Sequence, residues 1–421
     1  MEVFSGNNPT KLYYQALQEV LNNGDTCSPR GKKIKELRPV AVEFTNPLNR
    51  VTFLEGRKIN PFFQIAESLW ILSGRADVKW LTQFNANMKT FSDDGVFFNA
   101  PYGERLRSYG KNALSNTIYN PVDQMMDAYT KLVEDPDTRQ AIMTITNPHF
   151  DNASYTIDKH GKDIGCNLVI TFKIRENKLH MTVFNRSNDV HWGLWGANLC
   201  QFTTIQEVMA SWIRSNEPGL KNLEVGTYTQ VTDSLHVYLD EYGYKITESV
   251  LAEYNNEDRV KELEHTFTFK NEPRMNMDAS NFESFLLWFW TEVDPVLSDD
   301  ELLSRDDVLD FLIGVLDKVH EEGALDDYWY MAIQSMVAYR LLKLGNLNAC
   351  LKVVGMIENC QFKVSMLYFL KSHILKVKNN KEEFEEVKSL WDTIISWICD
   401  PKELLDESEV DHLKRYLELE V

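Results

Sequence analysis

The chain has 421 residues, 43% hydrophobic and 25% charged, with a formal net charge of −19. That is a globular composition long enough for two domains, and its negative balance excludes a general nucleic-acid binder, which needs a basic face. An anionic small substrate then requires local arginines to overcome the overall field. The cysteines at 27, 166, 200, 350, 360 and 399 form no Cys-x-x-Cys pair and no zinc-spaced Cys/His cluster. Neither a metal nor a disulfide framework is therefore expected. No signal peptide and no membrane-spanning apolar run are read, so the expected compartment is a reducing cytoplasm with no membrane partner.

Residues 9–22 carry helical apolar spacing. The Pro/Gly-rich stretch 24–31 breaks it and holds Arg30, which alone reads as a solvated loop charge. Residues 40–44 (VAVEF) read as a strand. Residues 60–72 read as a helix with Pro61 in its first turn and Phe62, Ile65, Leu69 and Leu72 on its apolar face. Glu67 falls inside that stretch, where a carboxylate is costly unless it is paired, hydrogen-bonded or turned to solvent. Residues 85–103 read as a loop ending in Pro101-Tyr102-Gly103. A helix over 120–133 and a strand over 141–145 follow, with Arg139 and Gln140 between them.

The stretch from Gly165 to Gln201 organises the rest. Leu168, Ile170, Phe172 and Ile174 alternate with polar or smaller residues, and Leu179, Met181 and Val183 repeat the pattern. A two-residue turn at Glu176-Asn177 makes Arg175 face Lys178. The same register puts Cys166 opposite Ser187 and beside Arg186. A nearby cation favours the nucleophilic thiolate; the alternative is a small buried cysteine. Residues 198–215 read as a helix with Asn198 near its start, the usual place of a cap. Residues 223–237 read as strand, and His236 and Tyr238, two apart, share a face. Beyond 278 helical patterns dominate, over 282–292, 306–321, 326–344, 349–357, 364–377, 382–398 and 410–419, and most of the negative charge falls there. The organisation expected is 1–277 as one domain and 278–421 as an acidic helical domain that docks a protein partner or oligomerises.

Cys166, the Arg186-Ser187-Asn188-Asp189 block, Gly193 and Asn198 match in order the catalytic segment of the thymidylate synthase and pyrimidine hydroxymethylase family, which the chain resembles from about 14 to 276. The resemblance implies an α/β (α+β) fold, a mixed sheet with surrounding helices, followed here by an all-α domain. It implies Cys166 as the nucleophile, with Glu67, Tyr102 and Asn198 as the other catalytic groups. It implies a pyrimidine deoxynucleoside monophosphate held by Arg30, Arg186, Ser187, Asn198, His236 and Tyr238. Arg139 of a second copy joins them in a homodimer, with Gln140 in place of the family's second arginine. It also implies 5,10-methylenetetrahydrofolate as co-substrate, bound near Asp189, Gly193 and Phe91, and no metal. Spacing from Cys166 lands on Ala197, so Asn198 requires one inserted residue in Trp195-Gly196-Ala197.

An Asn amide offers donors and an acceptor and matches N3–H and O4 of uracil, which favours dUMP over dCMP. The Cys166 thiolate attacks C6, C5 takes the one-carbon unit, and an exocyclic methylene results. Hydride from the folate gives dTMP; water gives 5-hydroxymethyl-dUMP. Phe91 in place of a pocket tryptophan, the rebuilt turn at 195–197 and the continued C-terminus all lean towards water. The reading is therefore a dUMP hydroxymethylase of phage type, acting in the host cytoplasm if phage-encoded. The alternatives are a thymidylate synthase, a dCMP hydroxymethylase, and an inactive relative that binds a partner through its helical domain.

Overall fold

The computed structural model describes residues 1–112, 117–151 and 162–419. The chain divides into two units, Met1–Arg57 with Glu67–Leu263, and Lys58–Ala66 with Glu264–Val421. The division thus falls at 263/264 instead of 277/278, and it runs through the helix Pro61–Leu72.

The first unit carries the strands β1 (Glu2–Gly6), β2 (Asp25–Cys27), β3 (Ile34–Leu37), β4 (Val40–Phe44), β5 (Tyr109–Asn112), β6 (Thr117–Val122), β7 (Ile142–Thr144), β8 (Asn167–Arg175), β9 (Lys178–Asn185), β10 (Asn188–Asp189), β11 (Glu224–Thr232) and β12 (Leu235–Tyr238). A six-stranded mixed sheet runs β1-β4-β11-β9-β8-β7, and a four-stranded sheet runs β10-β12-β3-β2. The stretch expected as one strand over 223–237 therefore serves both sheets, β11 in the first and β12 in the second.

β8 and β9 form the predicted hairpin. Glu176 and Asn177 have φ of 51° and 58°, the pair of left-handed residues that a type I′ turn requires, and Arg175 faces Lys178. Ile170, Phe172, Ile174, Leu179, Met181 and Val183 are buried on one face. The register then slips between Asn167 and Val169, so that Asn167 faces Asn185. At this bulge Leu168 leaves the alternation and Asn167 takes the buried side. Cys166 accordingly stands opposite Arg186, not Ser187: Arg186 N donates to Cys166 O at 3.0 Å.

The helix Leu199–Asn216 is buried from Leu199 to Ile213, so its polar side chains need partners inside the core. Gln206 Nε2 ties it to β9 and β11 by donating to Leu179 O (2.8 Å) and Gly226 O (3.2 Å). Glu207 forms a buried ion pair with Arg50. The helix expected over 120–133 is Gln124–Glu134; Asp123 caps it by accepting from Met125 N and Met126 N, while Thr117–Val122 belong to β6. The loop read over 85–103 ends in a helix, Tyr102–Arg107, and the helix Glu241–Glu253 was not anticipated.

The second unit is helical, with Asp306–Glu321 as read and Asp327–Lys343, Leu347–Met356, Gln361–Lys376, Lys381–Ile398 and Val410–Leu417 close to the expected spans. Phe62 joins this unit through ring contacts at 5.2 Å with Tyr339 and 5.8 Å with Phe369. The buried Lys363 donates to Gly355 O and Ile357 O at the C-terminal end of Leu347–Met356, and burial lowers its pKa to about 8.

Candidate active site

Cys166 sits half-buried at the entrance to β8. Arg186 Nη2 lies 3.7 Å from its Sγ. That guanidinium is held by Gly165 O (3.0 Å from Nε) and Ile164 O (2.9 Å from Nη2). Arg30, in the left-handed region at φ 53°, is a second cation acting on the thiol and hydrogen-bonds Tyr238. Burial nevertheless pushes the Cys166 thiol up, with Asp163 and Asp189 adding to it and the two arginines opposing. Arg186 favours the thiolate as expected, but desolvation outweighs the cations and the net direction is upward.

Behind the sulfur lies a cluster of buried amides. Tyr102 Oη accepts from Cys166 N (3.3 Å), Asn167 N (3.4 Å) and Asn167 Nδ2 (2.8 Å). Asn167 Nδ2 donates to Asn198 Oδ1 at 3.3 Å, and Asn198 Nδ2 donates to Asn167 Oδ1 and Asn188 Oδ1, both at 3.4 Å. Asn185 Nδ2 and Gln230 Nε2 also donate to Asn167 Oδ1, and Tyr228 Oη donates to Gln230 Oε1. Asn198 therefore caps nothing; its amide is buried in this cluster.

Asn198 reaches the cluster because Val190–Asn198 is a π-helix. A π-turn inserts one residue into a helical path, which is the extra residue that the spacing demands. Two interactions hold it open: Arg57 Nε and Nη2 both donate to His191 O (3.2 and 2.9 Å), and a Cβ on Gly196 would lie 2.8 Å from that same oxygen. Asp189 starts the turn, its Oδ1 accepting from His191 N (2.5 Å) and Trp192 N (3.2 Å).

Glu67 does not face solvent: it is 7% exposed. Burial raises its pKa to about 7, against a hydrogen bond from Gln201 that lowers it. Its Oε2 has no hydrogen-bond partner among the described residues, nor has Gln201 Oε1. A carboxyl poised at neutral pH with one oxygen uncommitted suits proton transfer.

β10 and β12 bring Asp189 level with His236 in the small sheet. The rings of His236 and Tyr238 meet edge to face at 5.1 Å. Gly193 has a steric reason to be glycine, since a Cβ there would lie 2.2 Å from Asn188 Oδ1. Phe91 lies 46% exposed at the end of the short helix Ala86–Phe91, and Arg139 lies exposed before β7. No contact among the described residues brings either to Cys166. The segment after Phe91 is tied to the stretch before Cys166 through Lys162 Nζ to Ser92 O (3.4 Å) and Ala100 N to Asp163 Oδ2 (2.9 Å).

Sequence reading missed Asn167, Asn185, Asn188, Gln201 and Gln230. The available signal was polarity at an inward strand position: Asn185 continues the parity of Leu179, Met181 and Val183. Such a residue needs a partner or a ligand.

A thiol beside the Arg186 guanidinium, backed by a cluster of buried amides, is the arrangement expected of an enzyme of the nucleophilic-cysteine class. The sequence model of the thymidylate synthase family matches residues 11–288. A deoxyuridylate hydroxymethyltransferase of Bacillus phage SP01 is 48% identical over 374 residues, 88% of this chain and 94% of that protein. Proteins of the same name from Pseudomonas phage M6 and Delftia phage PhiW-14 are 32% and 34% identical over 56% and 49% of this chain, and over 62% and 56% of their own lengths. The chain belongs to the thymidylate synthase family.

Proposed function

We propose that the protein makes 5-hydroxymethyl-dUMP from dUMP, with water as the final nucleophile. The activity is the one named for its phage SP01 relative, and what supports it here is Cys166 Sγ beside Arg186, with the Asn198 amide linked to the Cys166 backbone through Asn167 and Tyr102. Arg30, Arg186, Ser187, His236 and Tyr238 hold the sugar-phosphate, the cations matching its charge. Asn198 reads uracil, its Oδ1 accepting from N3–H and its Nδ2 donating to O4. Cys166 loses its proton and its sulfur adds to C6, which makes C5 nucleophilic. Charge gathering on O4 is met by Asn198 and by water ordered by Tyr102 and Glu67. Glu67, poised near 7, then takes a proton from the water that adds at the exocyclic carbon, and the electron pair returned to the ring expels the Cys166 thiolate from C6.

Methylenetetrahydrofolate, when bound, supplies the one-carbon unit. The exposed ring of Phe91, on a segment tied to the approach to Cys166, and the turn at Asp189 and Gly193 fit a flat aromatic co-substrate. A homodimer is proposed through the outer face of the six-stranded sheet. Strand register lines up Thr144, Val169, Phe184, Val231, Ala41 and Val3 across that face, with Phe184 40% and Val3 60% exposed. An apolar row of this length fits a second copy, which would contribute Arg139 to the phosphate. The helical unit is assigned to docking a protein partner. No helix among the described residues is long and apolar enough to cross a membrane.

Incubation with dUMP and methylenetetrahydrofolate, followed by mass analysis of the nucleotide, tests the reading. 5-Hydroxymethyl-dUMP with tetrahydrofolate is expected; dTMP with dihydrofolate, or turnover of dCMP in preference, would overturn it.

A further inference from the structure

We infer that Glu36 is a positioning residue of the sugar subsite: through the Ser234 hydroxyl it fixes which ring nitrogen of His236 carries the proton, and so makes His236 Nε2 a hydrogen-bond acceptor towards the nucleotide. The inference rests on the reading of His236 as a group that holds the sugar. Strand register brings the three residues together. β3 and β12 run antiparallel with Glu36 directly opposite His236, so these side chains stand on one face of the four-stranded sheet, and Ser234 immediately precedes β12.

A hydroxyl has one proton and donates it once. Ser234 Oγ donates to Glu36 Oε2 at 2.5 Å. Towards His236 Nδ1, 3.4 Å away, the same oxygen can then only accept. The Ser234 carbonyl, also 3.4 Å from Nδ1, is an acceptor in any case. Both neighbours therefore demand a proton on Nδ1, and the neutral ring keeps its lone pair on Nε2. Nε2 makes no hydrogen bond among the described residues, although His236 is only 5% exposed. Glu36 Oε1 is engaged elsewhere, accepting from Cys27 Sγ at 3.4 Å and lying 3.9 Å from Arg38 Nε, which turns Oε2 to Ser234. Without the carboxylate the hydroxyl proton is released to Nδ1, and the ring proton moves to Nε2.

The direct test is the nitrogen NMR spectrum of the imidazoles in the full-length protein, with His236 assigned by its loss in His236→Gln. A protonated Nδ1 and a bare Nε2 are expected; the opposite tautomer overturns the inference. A second test reads the consequence for substrate. A 3′-hydroxyl suits either tautomer because it both donates and accepts, whereas the 3′-ammonium of 3′-amino-dUMP only donates. Its kcat/KM relative to that of dUMP should fall about tenfold or more in Glu36→Met, the order expected when a buried acceptor is lost. Ser234→Ala should keep the wild-type ratio, since the carbonyl still holds Nδ1–H. Adding Ser234→Ala to Glu36→Met should restore the ratio, because the released hydroxyl is then gone. Loss of charge or general damage would leave the double variant as poor as Glu36→Met. An unchanged ratio in Glu36→Met, or one not restored in the double variant, overturns the inference, and the wild-type spectrum decides it should Glu36→Met fail to fold. A His236 Nε2 signal that does not move on adding dUMP would instead sink the reading of His236 as a sugar ligand.

Discussion

Two residues set the chemistry at the scale of single side chains. The Cys166 thiol is raised by burial despite Arg186 and Arg30, so little of it is thiolate at neutral pH. The rate of the thiol-dependent step should climb as pH rises above 7, without a plateau below the ordinary thiol range near ~8.5. A pH profile of kcat/KM for dUMP checks this, and a profile already flat at pH 7 would contradict it. Glu67 behaves in the opposite sense for stability. Its pKa is about 7 in the folded chain against 4.5 for an unperturbed carboxyl. Between those values the unfolded chain has released the proton and the folded chain retains it. Stability therefore falls as pH rises through that window and stays lowered above it. Glu67→Gln has no such loss. It should be more stable than the parent by on the order of 2–3 kcal/mol at pH 8 and no more stable at pH 4, while turnover falls by ~10²-fold or more. Melting curves at the two pH values, beside a turnover assay, decide it.

At the scale of elements, the hairpin was legible because two forces agreed: alternation placed the core residues, and Glu176-Asn177 specified the turn. What alternation could not give was the slip at Leu168. There the burial of one amide, Asn167, among Tyr102, Asn185 and Gln230 overrides the apolar parity of a leucine. The same limit hid the π-turn. A sequence showed that one residue was surplus before Asn198, but only coordinates show Arg57 and Gly196 accommodating it around His191 O. Arg30, Glu67, Tyr102, Asn198, His236 and Tyr238 were proposed from the resemblance; the amides around Tyr102 and Asn198 were not read, because their partners lie on other strands. The core helix Leu199–Asn216 offers a separate prediction. Arg50 and Glu207 are both almost wholly buried, so Arg50→Ala takes the cation from beside a buried carboxylate and should cost about 3–5 kcal/mol, whereas replacing both by apolar residues of similar volume should cost much less. Chemical denaturation of the single and double variants measures the difference.

At the scale of the whole molecule, two units differ in what the sequence disclosed. The helices of the second unit follow from periodicity and caps, whereas Lys58–Ala66 join it through contacts such as those of Phe62 and Asn60 with Tyr339; such a long-range contact has no local signature. The proposed dimer face leads to an assembly prediction. Phe184→Glu places a charge in the middle of the row on the outer sheet face, and under the proposal that Arg139 acts from a second copy the variant should sediment as a monomer with strongly reduced turnover. A variant that stays dimeric would remove that face from consideration.

The account turns on sulfur adding to the pyrimidine ring. Protein quenched during turnover of dUMP and methylenetetrahydrofolate and then mapped by peptide mass spectrometry tests it most directly. The peptide containing Cys166 should carry the mass of the nucleotide, and Cys166→Ala should yield neither adduct nor product. Continued turnover by Cys166→Ala, or an adduct on any other cysteine, would contradict it.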